Sequence, residues 1–218
     1  MHYYSESEIR DIIESVVTQA GGARTGRRTP ERPIPVEVSA RHVHLTQEAV
    51  ERLFGPGYRL TQKRELSQHG EFLSGERVKI VTAKGEFSHV AVLGPVRSAV
   101  QVELSMTDCK LLGVRAPVNL SGNLEGAADV LLIGPCGIYQ ADRSAIVAKA
   151  HIHMTAQDAA SHGVRDGQAV RVQVRSPRPV TLDDVIIRVR DTFDLAMHID
   201  FDEANATAVS GDTTCVIC

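Results

Sequence analysis

Two short segments hold the residue types best suited to chemistry. His42-Val43-His44 and His151-Ile152-His153 are both His-x-His. In a strand, residues i and i+2 project from the same face. Each pair therefore offers two imidazoles to one cation, while Val43 and Ile152 turn toward the core. Imidazole nitrogen suits zinc and other late first-row divalent ions. A single His-x-His is more often a pair of satisfied surface histidines. Here the flanks repeat as well. Val38-Ser39-Ala40-Arg41-His42-Val43-His44-Leu45-Thr46 is echoed by Val147-Ala148-Lys149-Ala150-His151-Ile152-His153-Met154-Thr155. Each copy leads into a segment that Thr46 or Thr155 can cap and that Gly55 or Gly163 can end. Two copies in matching context favour metal binding and two related halves.

Two ligands do not complete a metal site. His198 and Glu103 are candidates for the remainder, and spacing leaves both open. His198 also reads as a core histidine near a strand end, and Glu103 as a solvated residue on the outer face of its strand. Arg97 follows Gly94-Pro95-Val96 in a turn. Its guanidinium fork matches phosphate oxygens, although taken alone a solvated turn arginine is the preferred reading. No GxSxG or Walker A sequence occurs, and no nucleophilic Ser or Cys stands out. A TIM-barrel amidohydrolase also carries His-x-His, but the eight β/α units it needs are missing.

The elements that must position these groups are short strands. Apolar alternation marks strands near 34–38, 77–81, 89–93, 100–104, 169–174 and 185–189, with Gly, Pro, Asp or Ser between them. Helical patterns are convincing over 47–53 and 156–162. Many short strands with few helices predict a mainly β protein built as small β-barrels. Residues 5–20 differ. Apolar positions 9, 12, 13, 16, 17 and 20 form a helical stripe, Ser5 and Glu8 make a capping box, and Gly21-Gly22 supplies the stop. Residues 21–33 read as a flexible basic linker. A tethered amphipathic helix of this kind either folds back onto the main domain or docks in a partner's groove, and the long linker favours docking.

Composition narrows the function classes. The 218 residues are 43% hydrophobic with a net charge of -3, so no basic field attracts nucleic acid. Aromatic residues are 4% and Trp is absent, which argues against a base-stacking platform. No apolar run reaches the length of a membrane helix. The N-terminus lacks a signal-peptide pattern, so a reducing compartment is expected and disulfides are not. Cys215 and Cys218 have CxxC spacing at the chain's end, where too few residues remain for a redox helix. A frayed tail is expected there.

Taken together, five motifs resemble the PduL-type phosphate acyltransferases, the phosphotransacylases of bacterial microcompartments. They are the two His-x-His segments with their flanks, 92–97 ending in Arg97, 101–105 around Glu103, and the late His198. The resemblance runs over about 34–209. It implies two β-barrels capped by short helices, one formed by 34–40 with 149–218 and the other by 41–148. It implies two divalent metal ions of the zinc type, one on His42, His44 and Glu103, the other on His151, His153 and His198. Arg97 matches the arginine that meets phosphate and assists catalysis. Ser39 and Asn205 match positions lining the coenzyme A site, and Ala91 stands where relatives carry a basic residue. The implied reaction interconverts acyl-CoA plus phosphate with acyl-phosphate plus CoA, with acetyl or propanoyl groups. Residues 5–20 resemble an encapsulation peptide, which implies shell or core proteins as partners and the microcompartment lumen, within the cytoplasm, as the location. A homodimer is expected. A dinuclear metallohydrolase of thioesters or phosphoesters and a non-catalytic adaptor are the alternatives.

Overall fold

The computed structural model describes residues 32–218. The amphipathic segment 5–20 and the linker up to residue 31 lie outside the described residues.

In chain order the elements are β1 (Ile34–Ser39), β2 (His42–His44), α1 (Gln47–Phe54), β3 (Gln62–Glu65), β4 (Phe72–Val81) and β5 (Glu86–Gly94). Next come β6 (Gln101–Leu104), α2 (Met106–Leu112), β7 (Val118–Asn119), β8 (Ala128–Ile133) and β9 (Ile138–Ala148). The last are β10 (His151–Met154), α3 (Ala156–His162), β11 (Ala169–Arg175), β12 (Val180–Val189), β13 (Ala196–Asp200), α4 (Phe201–Thr207) and β14 (Thr214–Ile217).

The strands close two barrels, in keeping with the mainly β reading. One has the order β1-β13-β10-β12-β11-β14, and β14 pairs back onto β1. The other runs β4-β5-β2-β6-β9 and is closed by β8, which pairs with both β4 and β9; β3 and β7 extend it. The chain therefore begins in the first barrel, builds the second, and returns to complete the first. Closure removes free edges, which short strands of this kind otherwise expose.

Each barrel has its own core. Val43, Leu45, Leu53, Ile80, Val92, Val102 and Leu132 fill one. Ile34, Ile152, Met154, Val172, Ile187 and Met197 fill the other. In β11, Val170, Val172 and Val174 are buried and the residues between them are exposed, the period-2 pattern of a half-buried strand. Val43 and Ile152 are fully buried.

Four short helices cap the barrels, two more than the helical periodicity showed. The additional ones, α2 and α4, span only seven residues each. Their signal was a cap and not a stripe. Ser105 with Asp108, and Asp200 with Glu203, form reciprocal capping boxes. The glycines after α2 and α3, Gly113 and Gly163, adopt the left-handed conformation that glycine enters without a Cβ clash.

The C-terminal tail is a correction. Instead of fraying, β14 lies between β1 and β11, and the backbone N–H of Cys218 donates to the Arg171 carbonyl at 2.9 Å. Cys215 is fully buried in the first barrel's core. Without β14, both β1 and β11 would present unpaired edges, so the last residues are recruited to close the barrel.

Candidate active site

The two His-x-His strands sit in equivalent surroundings. β2 lies between β5, which is parallel to it, and β6, which is antiparallel. β10 lies between β12, parallel, and β13, antiparallel. The registers correspond: His42 stands opposite Glu103, and His151 opposite His198. The internal echo therefore extends beyond the two pairs to the residue beside each. Thr46 caps α1 and Thr155 caps α3, which anchors the chain just past each pair.

The first histidine of each pair is oriented in the same way. His42 Nδ1 is 2.8 Å from the Ala40 carbonyl, and His151 Nδ1 is 2.8 Å from the Lys149 carbonyl. A carbonyl only accepts, so Nδ1 carries the proton and Nε2 keeps its lone pair for a ligand. His42 Nε2 lies 3.4 Å from Glu103 Oε2.

His42, His44 and Glu103 are all buried, and their donor atoms lie within 4.8 Å of one another. The rings of His151, His153 and His198 cluster at centroid separations of 4.6, 4.7 and 5.2 Å. Several buried polar atoms here have no hydrogen-bond partner: His44 Nδ1, both ring nitrogens of His153, and Gln68 Oε1. Such groups are costly to leave unpaired. A divalent cation would take one nitrogen of each such ring and suits the donor chemistry, so the residues fit a metal.

The protonation states agree with that fit. Burial, then the charges of His42 and Arg97, holds the His44 imidazole well below its usual range. Burial lowers His151 to about 4 and His198 to about 4. Burial, with His151 and His198 beside it, lowers His153 to about 2. Burial alone would raise Glu103, but His42, Ser121 and Arg97 outweigh it and lower its pKa. Neutral imidazoles and an ionised carboxylate are the ligand forms a metal requires.

Arg97 comes from the turn after β5, and its backbone N–H donates to the Leu45 carbonyl at 2.8 Å. Its guanidinium donates to Glu71 Oε1 at 2.8 Å and to Ser121 Oγ at 3.2 Å. Gln101 links this group to the first triad. Its amide nitrogen donates to Glu103 Oε1 at 2.6 Å and to Ser121 Oγ at 2.8 Å, while its oxygen accepts from the Gly122 N–H at 2.8 Å.

A cleft of about 860 Å³ joins these groups. Both histidine triads, Arg97, Ser39 and Ala91 line it. Asn205 does not; it lies on the exposed face of α4. Gln101, Ser121, Glu71 and Gln68 were not singled out from the sequence. Gln101 carried a readable signal, since it stands two residues before Glu103 and so shares its face. The other three sit in loops, where no periodicity points to a partner. The loop between β3 and β4 reaches the first barrel: Ser67 Oγ donates to Glu37 Oε2 at 2.5 Å, and Gln68 lies 3.4 Å from His198 Nε2.

A family profile described as phosphate propanoyltransferase matches residues 35–210. The chain is 54% identical over 208 residues to a protein of Leptotrichia buccalis named phosphate propanoyltransferase, covering 95% of this chain and 96% of that protein. It is 45% identical to one of the same name from Clostridioides difficile, covering 97% and 98%. A third, from Thermotoga maritima, is 49% identical over 86% of this chain and 90% of the relative.

Proposed function

The chain belongs to the phosphate propanoyltransferase family, and on that premise we propose that it transfers a short acyl group between coenzyme A and phosphate at a two-metal site. The observation that carries this reading is the convergence of both histidine triads and Arg97 on one cleft.

His42, His44 and Glu103 would hold one ion, and His151, His153 and His198 the other. Bound divalent ions would supply charge neutralisation for phosphate and a lower pKa for the departing thiol. Arg97 holds the attacking phosphate by its fork of N–H donors, and Ser121 fixes the plane of that fork. The phosphate oxygen bonds to the thioester carbonyl carbon, the C–S bond breaks, and CoA leaves as the thiolate. Ser39, on the cleft wall contributed by β1, contacts the coenzyme. The enclosed cleft holds both reactants together, and proximity supplies a large part of the rate. Among the described residues the cleft offers no side chain set up as an acyl acceptor: Cys109 and Cys215 are buried in other surroundings. Transfer is therefore direct.

The test is an assay of metal-loaded protein with propanoyl-CoA or acetyl-CoA and phosphate, following CoA release and acyl-phosphate together. Phosphate-dependent acyl-phosphate, lost in His151→Ala, supports the reading. CoA release that ignores phosphate and yields free acid overturns it in favour of a hydrolase. For location, the pattern of residues 5–20 supports a bacterial microcompartment lumen, reached through shell or core proteins. Deleting residues 1–20 should then leave the enzyme active but absent from purified compartments.

A further inference from the structure

The pseudo-symmetry that relates the two triads also relates two arginines. The backbone N–H of Arg97 donates to Leu45, the residue after His44; that of Arg190 donates to Met154, the residue after His153, at 3.1 Å. Each barrel thus places an arginine just past the strand parallel to its His-x-His. Arg188 stands beside Arg190, opposite His153 in the parallel register of β10 and β12. Both line the cleft.

The two arginines differ from Arg97 in their pairing. Arg97 is bound by Glu71 and Ser121. Neither Arg188 nor Arg190 makes a side-chain hydrogen bond or ion pair within the described residues. They share one support, the Phe193 ring, with guanidinium carbons 5.9 and 5.4 Å from its centroid. Phe193 in turn stacks on His153 at 3.9 Å. Two carboxylates favour the Arg188 charge without pairing with it: Asp166, which already accepts the Val189 N–H at 2.7 Å, and more weakly Glu103. Arg188 is partly buried, and burial with the adjacent Arg190 charge disfavours its cationic form. Arg188 is half-buried and Arg190 exposed at the cleft rim. Two like charges held over one aromatic face, the inner one partly out of water and neither in an ion pair among the described residues, are costly unless an anion completes them.

We propose that Arg188 and Arg190 form a second anion subsite on the first barrel's side of the cleft, which binds a phosphate group of a substrate. This rests on the phosphotransacylase reading for the source of that phosphate. Either inorganic phosphate and acyl-phosphate, or the phosphate groups of coenzyme A, provide the same chemistry: a compact, multiply charged anion with oxygens matched to guanidinium forks.

The experiment uses Arg188→Gln and Arg190→Gln in the full chain. It measures calorimetric affinity for inorganic phosphate, CoA and 3′-dephospho-CoA, alongside steady-state KM values. Loss of one charge-assisted pair is expected to weaken one of these ligands by about 10-fold or more. A rise confined to phosphate identifies the inorganic anion. A rise confined to CoA that vanishes with 3′-dephospho-CoA identifies the 3′-phosphate, and one that persists identifies the diphosphate. Unchanged affinity for all three ligands, with only a lower unfolding temperature, overturns the proposal and leaves the arginines as a cover for Phe193. The binding arm reads the arginines even if wild-type protein makes no acyl-phosphate, so failure of the activity reading remains separate.

Discussion

Glu103 and His198 occupy the same position in two copies of one arrangement. Each is the antiparallel register partner of the first histidine of a His-x-His pair, Glu103 of His42 and His198 of His151. Each strand then runs into a seven-residue helix through a capping box, at Ser105 and at Asp200. The backbone is thus duplicated and the ligand chemistry is not: one triad carries a carboxylate, the other a third imidazole.

That relationship predicts the outcome of an exchange. The equivalent backbone already seats a histidine, so Glu103→His should retain a divalent ion in the first triad. Glu103→Ala should lose it. Metal content by elemental analysis distinguishes the two. Activity should fall in both, by at least about 100-fold in Glu103→Ala, where a charged ligand is gone.

Gln101 is predicted to act through Glu103 and not on substrate. Gln101→Leu removes the amide partner of Glu103 Oε1 and of the Gly122 N–H and leaves Ser121 Oγ with Arg97 alone. The expected result is metal affinity lower by about 10–100-fold and a stability loss of about 1–3 kcal/mol. Competition with a chelator measures the first and denaturant unfolding the second. Unchanged metal affinity would remove Gln101 from the positioning network.

Arg97 is predicted to bear on phosphate more than on coenzyme A. Arg97→Lys keeps the charge but loses the fork, so KM for phosphate should rise by about 10-fold while KM for acyl-CoA stays within about twofold. An equal rise in both would mean that the guanidinium supports the cleft as a whole.

Metal-free protein should lose stability in acid. His151 and His198 are lowered to about 4 in the fold, against 6.5 for an ordinary histidine. Between those values the unfolded chain binds more protons. Stability therefore rises with pH through this window, is complete above it, and is lost as pH falls toward 4, at about 1.4 kcal/mol per pH unit per histidine. Glu203 works in the opposite sense. Burial raises it to about 7 from 4.5, so its contribution is present at low pH and lost as pH rises through that interval. Urea unfolding of metal-free His151→Gln and Glu203→Gln across pH 4 to 8 separates the two slopes, flattening each in turn.

The cysteines should divide by reactivity. Cys136 and Cys218 are exposed, while Cys109 and Cys215 are buried, and burial lifts the Cys215 thiol to about 12. Alkylation followed by mass spectrometry should label the first two in native protein and the second two only on unfolding. Rapid native labelling of Cys215 would mean that β14 detaches from the barrel.

By itself, the chain's sequence determined the fold class and the chemistry on offer. Its many short alternating runs and few helices point to small β-barrels, and the two His-x-His pairs share flanks that point to related halves. The strand period alone puts His42 with His44, and His151 with His153, on common faces, because successive side chains alternate. It could not decide what stands beside them. Register between strands distant in sequence sets Glu103 opposite His42 and His198 opposite His151, and register depends on barrel closure, not on local pattern. The same holds for the tail. Cys215-Val216-Ile217 has no local reason to be ordered, and becomes a strand because β1 and β11 leave a gap of its size. Loop residues were the least legible. Ser121, Glu71 and Gln68 reach the cleft through turns that have no period. Only the tertiary structure, by bringing them within hydrogen-bond reach of Arg97, Gln101 and His198, shows that they belong to the site.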